Sequence, residues 1–150
     1  MNNINEPVNI LMADDDEDDR LLAKEALAEG RLLNNLYFVE DGQELLDFLR
    51  HDGKYSQATD APTPGLILLD LNMPKMDGRE ALTNIKADPK LKNIPVVILT
   101  TSKAEEDIAR SYSLGANSFI TKPVSFDGLV HALQTLKQYW FEIVSLPTET

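Results

Sequence analysis

The sequence predicts an α/β fold, a five-stranded doubly wound parallel sheet with helices on both faces, and three observations predict it. Short apolar runs alternate with segments of helical periodicity along the chain, the pattern of βα repeats that build a parallel sheet. The runs Leu66-Ile67-Leu68-Leu69 and Val96-Val97-Ile98-Leu99 are apolar at every position, as strands buried on both faces require. Chemically capable residues stand at the carboxyl ends of the runs: Asp14 and Asp15 after Val8–Ala13, Asp70 after Leu69, Thr100 after Leu99, and Lys122 after Phe119-Ile120-Thr121. That edge is where open α/β sheets place their sites.

The elements follow in order. Strand one is Val8 to Ala13. Helix one begins near Asp16, carries Leu21, Leu22, Glu25, Ala26 and Leu27, and ends at Gly30, a suitable C-terminal glycine. Strand two is Leu36 to Val39, and Asp41-Gly42 turns the chain into helix two, with Leu45, Leu46 and Leu49 facing inward. A polar insertion, 51–64, precedes strand three, Leu66 to Leu69. It enters at the amino end of that strand, away from the carboxylates, and reads as a spacer or a partner contact. Helix three runs from about Arg79 to Ala87 and stops before Pro89. Strand four is Ile94 to Leu99, helix four Ala104 to Ser113, strand five Ser118 to Thr121, and helix five Phe126 to about Val144. One domain, 8–144, is expected between a disordered N-terminal tail at 1–7 and a C-terminal tail at 145–150, with no repeat and no internal linker.

With 150 residues and 43 % apolar content, the chain is long enough to bury a core. A net charge of −11 supplies too few cations to neutralise phosphates, which argues against nucleic acid and against an anionic membrane surface. There is no cysteine, so disulfides, thiolate metal sites and cysteine nucleophiles are excluded. No stretch approaches the roughly 18 apolar residues of a membrane span, and Met1–Pro7 has no signal-peptide core. A soluble, cytoplasmic domain is expected.

Asp14, Asp15 and Asp70 offer only oxygen ligands. Hard donors of this kind suit Mg²⁺, or the similar Mn²⁺, and three crowded carboxylates repel one another unless a cation sits among them. Asp16, Glu17, Asp18 and Asp19 are read instead as a solvated run opening a helix, where acids favour the dipole. A carboxylate can act as a nucleophile toward phosphorus, and phosphoryl transfer asks mainly for positioning and for charge neutralisation. Lys122 and Thr100 can supply a cation and a donor. Taken singly, Thr100 could be a strand-end cap, Lys122 an exposed charge and Asp70 a turn cap; taken together they make a site.

Asp14-Asp15, Asp70-Leu71-Asn72-Met73-Pro74, Met76-Asp77-Gly78, Leu99-Thr100-Thr101 and Lys122-Pro123 together resemble the receiver domains of bacterial two-component response regulators, of the chemotaxis-type single-domain kind. The resemblance covers about residues 8 to 140 and implies the flavodoxin-like receiver fold. It implies that Asp70 accepts a phosphoryl group from a phosphohistidine on a sensor histidine kinase. Asp15, Asp70 and the backbone carbonyl of Asn72 would ligate Mg²⁺, with Asp14 holding a metal-bound water. Lys122 would pair with phosphoryl oxygens, and a cis bond before Pro123 is usual in the family. Thr100 would swing toward the phosphoryl group and Phe119 would follow it inward; the family often has tyrosine there, and Phe119 keeps the ring without the hydroxyl. The insertion and the ending Trp140-Phe141-Glu142 through Leu146-Pro147 look like the small receivers that partner bacterial phytochrome kinases.

Output is expected through the surface of the domain itself. Tyr139, Trp140, Phe141, Ile143, Val144 and Leu146 form an apolar end. Successive helical residues point about 100° apart, so the three aromatics cannot all face one core. Such a patch predicts a protein contact, here a homodimer or docking face built from helix four, strand five, helix five and the carboxyl end. His51 and His131 lack a phosphotransfer setting and read as surface or satisfied histidines. Four rival readings have weaker support: a response regulator of another, non-phytochrome kinase, a phosphorelay intermediate or sink, a binding-only pseudo-receiver, and a Mg²⁺-dependent phosphatase of the haloacid dehalogenase type. For the phosphatase, Asp14-x-Asp16 mimics the nucleophile motif but a cap insertion and a second acid after Asp70 are missing.

Overall fold

The structure is a computed structural model, and it describes residues 9–29, 35–57, 61–100, 105–116, 118–121, 127–128 and 130–131. Five strands form one parallel sheet: β1 (Asn9–Ala13), β2 (Asn35–Val39), β3 (Leu66–Leu69), β4 (Val96–Thr100) and β5 (Ser118–Thr121). Their spatial order is β2-β1-β3-β4-β5, the doubly wound arrangement expected from the βα alternation. The helices are α1 (Glu17–Glu29), α2 (Gly42–Arg50), α3 (Gly78–Ala87) and α4 (Glu105–Ser113). Residues 127, 128, 130 and 131 are helical, inside the span expected for helix five; the rest of that helix, the tails and the aromatic end lie outside the described residues.

Alternation along the strands sorts the core into two layers. Leu11, Ala13, Ile67, Leu69, Val96 and Ile98 pack with Leu45, Leu46, Phe48 and Leu49 of α2 and with Ala81, Leu82 and Ile85 of α3. Ile10, Met12, Leu66, Leu68, Val97 and Leu99 pack on the other face with Ala23 and Ala26 of α1 and with Val130. All four β3 residues and all five β4 residues are buried, because helices cover both faces.

Small differences from the expected bounds have local causes. Strand β4 begins at Val96 rather than Ile94 and extends through Thr100; the Ile94 carbonyl is taken by the Lys86 ammonium at 2.8 Å, outside the ladder. Helix α1 starts one residue later than expected, because Asp16 serves as its cap: Asp16 Oδ1 accepts from the Asp18 and Asp19 N–H groups at 2.8 and 3.3 Å.

The insertion joins β3 at the amino edge, where the Gly65 N–H donates to the Asn9 carbonyl at 2.8 Å. Its first part does not stay there. His51 ends α2 with a left-handed backbone (φ 58°), and a 3₁₀ turn at Gly53–Tyr55 folds back along the helix. Tyr55 packs edge-on against Phe48, ring centroids 5.0 Å apart, and its hydroxyl donates to Glu44 Oε2 at 2.7 Å. The insertion therefore reaches the first turn of α2, further toward the carboxyl edge than its point of entry suggests. His51 Nε2 lies 2.7 Å from the Ala61 carbonyl, a satisfied histidine as expected.

Candidate functional site

Parallel pairing brings the strand ends to one level. Ala13 pairs with Leu69, Leu69 with Ile98, and Ile98 with Phe119. The residues that follow Ala13 and Leu69 are held by neighbouring strands: the Asp14 N–H donates to the Val39 carbonyl and the Asp70 N–H to the Ala13 carbonyl, each at 3.0 Å. Asp14 and Asp70 are buried and Asp15 is exposed. One carboxylate oxygen from each of the three lies within 4.8 Å of the others. The strand ends thus bring these acids together as expected, whereas Asp16, Glu17, Asp18 and Asp19 belong to the cap and first turn of α1.

Three oxygen donors this close, two of them out of water, suit a hard divalent cation such as Mg²⁺ or Mn²⁺. The ion's charge would offset mutual repulsion that water cannot screen at a buried site. Backbone donors add to the order of the site. Asp14 Oδ1 accepts from the Asp16 N–H at 2.9 Å, and Asp70 Oδ1 accepts from the Asn72 N–H at 3.1 Å.

Thr100, at the end of β4, is completely buried. Its hydroxyl oxygen accepts from the Asn72 side-chain amide at 3.3 Å. Thr100 lies two positions past Ile98, the partner of Phe119, so alternation puts Thr100 and Phe119 on one face of the sheet. Phe119 is half-buried there, against the α2–α3 layer of the core. Strand β5 ends at Thr121, opposite Thr100. Lys122, and with it Tyr139, Trp140, Phe141, Ile143 and Val144, lie outside the described residues.

The loop from Asp70 to Gly78 is closed tightly. The Gly78 N–H donates to the Leu71 carbonyl at 2.9 Å. A Cβ on Gly78 would overlap the Asp70 carbonyl oxygen and lie 2.8 Å from the Leu71 Cα, so the close approach requires glycine. Asp77 then caps α3, its Oδ1 accepting from the Glu80 N–H at 3.0 Å.

Sequence reasoning missed several supporting groups. Arg20 donates from Nη1 to the Asp14 carbonyl at 2.8 Å and pairs through Nη2 with Glu40 at 3.4 Å. An arginine closing an otherwise acidic run is the one signal for it. Glu44 ties the β2–α2 turn to the insertion. Its Oε1 accepts from the Glu40 N–H at 2.8 Å, while Oε2 accepts from Tyr55 and from the Lys54 ammonium, both at 2.7 Å. Burial alone would raise the Glu44 carboxyl, but these three donors together hold it below its ordinary value. Burial and the facing Glu44 carboxylate push the Tyr55 phenol up to about 12.

Residues 10–134 match the response regulator receiver domain family. The chain is 42 % identical over 143 residues to the response regulator Rcp1 of Synechocystis sp., a match covering 95 % of each chain. It is also similar to the crystal structure of a phosphorylated cyanobacterial phytochrome response regulator, RcpA, with 41 % identity and a TM-score of 0.85 over 95 % of this chain and all (100 %) of that one. A similar agreement holds with the Mn²⁺-bound form of Rcp1, with 42 % identity and a TM-score of 0.83 over 95 % of this chain and 100 % of the other. With the family match spanning most of the chain and these relatives aligned over nearly all of it, the chain belongs to the response regulator receiver domain family.

Proposed function

We propose that the protein is a cytoplasmic single-domain response regulator whose Asp70 accepts a phosphoryl group from a phosphohistidine of a sensor histidine kinase. The observation that carries this reading is the meeting of Asp14, Asp15 and Asp70 within 4.8 Å at the sheet edge that also carries Thr100. In the transfer an Asp70 carboxylate oxygen attacks phosphorus. A P–O bond forms, the P–N bond to the imidazole breaks, and the imidazole nitrogen keeps the electron pair and takes up a proton. Asp15, Asp70 and the Asn72 backbone carbonyl would hold Mg²⁺ or Mn²⁺, with Asp14 acting through a water. When bound, the ion supplies positive charge against the phosphoryl oxygens.

The chain's own residues do the rest. The Asn72 N–H orients the Asp70 carboxylate through the 3.1 Å bond to Oδ1. Lys122 neutralises phosphoryl oxygens, and the Thr100 hydroxyl, which accepts from Asn72, keeps a hydrogen to donate to one of them. Drawing Thr100 toward a new dianion vacates space on the face it shares with Phe119, and the ring moves into it. A local charge event thereby biases a two-state element and alters the surface of α4, β5 and the following helix, where a homodimer partner or a target docks. Among the described residues no helix is long and apolar enough to cross a membrane. The phosphodonor we favour is a phytochrome kinase, because relatives at about two-fifths identity, such as RcpA, are phytochrome response regulators.

Incubation with a small acyl phosphate, followed by intact mass measurement with Mg²⁺ and with chelator, tests the reading. One Mg²⁺-dependent phosphoryl adduct, absent in Asp70→Asn, is expected. Continuous release of phosphate would instead indicate a phosphatase, and absence of any adduct in a folded, Mg²⁺-binding protein would remove Asp70 as a general phosphoacceptor.

A further inference from the structure

The loop that carries Asn72 is pinned at a second place, away from its neck. The Gly42 N–H, first in α2, donates to the Met76 carbonyl at 2.9 Å. Gly42 is buried, and a Cβ there would overlap the Met76 carbonyl oxygen and lie 2.9 Å from both its carbonyl carbon and its Cβ. Two of these atoms belong to backbone, so no side-chain rotation relieves the overlap. Beside it, Asp41 is buried and uses both carboxylate oxygens: Oδ1 caps α2 by accepting from the Glu44 N–H at 2.7 Å, and Oδ2 faces the Lys75 ammonium at 3.7 Å. Lys75 itself holds a left-handed backbone, φ 64°, a conformation that a non-glycine residue keeps only where neighbours define it.

We infer that the Asp41-Gly42 turn is a positioning element for the metal site, acting through the Met73–Asp77 loop. The helix behind the turn is a firm anchor, since Leu45, Leu46, Phe48 and Leu49 are all buried in the core. With the neck closed by Gly78 and Leu71 and the tip held by Gly42 and Met76, the loop has little freedom left, and Asn72 sits between the two pins. The spacing of the Asn72 backbone from Asp15 and Asp70 is then set partly by α2, some thirty residues earlier in the chain. Groups that support metal ligands without touching the metal typically change affinity by about 10–100-fold when altered. The inference rests on the metal site proposed above.

The test is Mg²⁺ titration of the wild type, Gly42→Ala and Leu91→Ala by calorimetry, each well below its unfolding midpoint. Leu91 is buried before β4, at the amino edge of the sheet, so its truncation destabilises without touching the loop. Gly42→Ala is expected to bind Mg²⁺ about 10-fold more weakly, with Leu91→Ala unchanged. Coupling is reciprocal, so in the wild type saturating Mg²⁺ should slow amide exchange at Gly42 several-fold. That second measurement needs no variant. Wild-type affinity in a folded Gly42→Ala overturns the inference, as does equal loss in Leu91→Ala; where Gly42→Ala does not fold, Gly42 exchange indifferent to Mg²⁺ overturns it. A wild type that binds no Mg²⁺ overturns the metal reading itself and this inference with it.

Discussion

The Asn72 amide donates to the Thr100 hydroxyl oxygen at 3.3 Å, bridging the ends of β3 and β4 beside Asp70. The bond is long for N–H···O, so releasing Thr100 from it costs little. It also defines the hydroxyl's role: the oxygen accepts, and the hydrogen is left to donate.

Thr100→Val keeps the branched shape in a wholly buried position and removes that hydroxyl. The variant should still form the Asp70 adduct with an acyl phosphate. It should lose the phosphorylation-dependent change in hydrogen exchange at α4 with little change in stability, because Asn72 is exposed and its released amide can turn to water. Exchange mass spectrometry with and without phosphodonor checks this; an α4 response that survives the substitution rules out Thr100 as the trigger.

Crowding of Asp14, Asp15 and Asp70 within 4.8 Å costs stability when no cation is bound. Asp70→Asn retains the Oδ1 that accepts from the Asn72 N–H while removing one charge. Its thermal midpoint in chelator should exceed that of the wild type, by an amount corresponding to about 1 kcal/mol. Mg²⁺ at a hundred times its Kd should stabilise the wild type by about 2.7 kcal/mol and the variant by much less. Equal Mg²⁺ stabilisation of both proteins would place the ion elsewhere.

Gly78→Ala forces a methyl group into the Asp70 carbonyl. Overpacking against backbone typically costs about 1–3 kcal/mol, visible as a lower urea midpoint. A midpoint equal to the wild type's would show that the loop neck opens freely.

The Tyr55–Glu44 bond predicts a pH dependence with a definite sign. The Tyr55 phenol is raised from 10.0 to about 12 in the folded state by burial and by Glu44, so the folded state holds this proton more tightly than the unfolded chain. Its stabilisation is fully present below about pH 10 and is lost as pH rises through about 12. Glu44 runs the other way. Burial opposes the shift, but its donors hold it below its ordinary 4.5, so its contribution is present above that value and is lost as pH falls through the depressed one. The Lys54 ammonium, raised chiefly by its bond to Glu44, also weakens at high pH, so Tyr55→Phe isolates the phenol. At pH 8 that variant should be less stable by about 1 kcal/mol. The gap should narrow toward pH 12 in urea titrations, and a gap that widens with pH contradicts the assignment.

The acids of the site are legible in the residue pattern because a parallel sheet aligns strand ends. Once Val8–Ala13 and Leu66–Leu69 are read as neighbouring strands, Asp14 and Asp70 must lie side by side, and their N–H groups donate into the adjoining strands. Strand β5 has the expected bounds, and β3 likewise, since an unbroken apolar run admits few alternatives. Phe48 escapes the same reading, although α2 buries it, because three leucines already account for one helical face.

Local pattern decided the element types and the edge on which the carboxylates gather, since each depends on residue periodicity and strand ends. Only the tertiary structure decided which loop atoms meet. The pairs Gly42–Met76, Asn72–Thr100, Arg20–Asp14 and Tyr55–Glu44 leave no periodic trace, because a loop's path follows from packing and backbone hydrogen bonding that no repeat of residue types encodes.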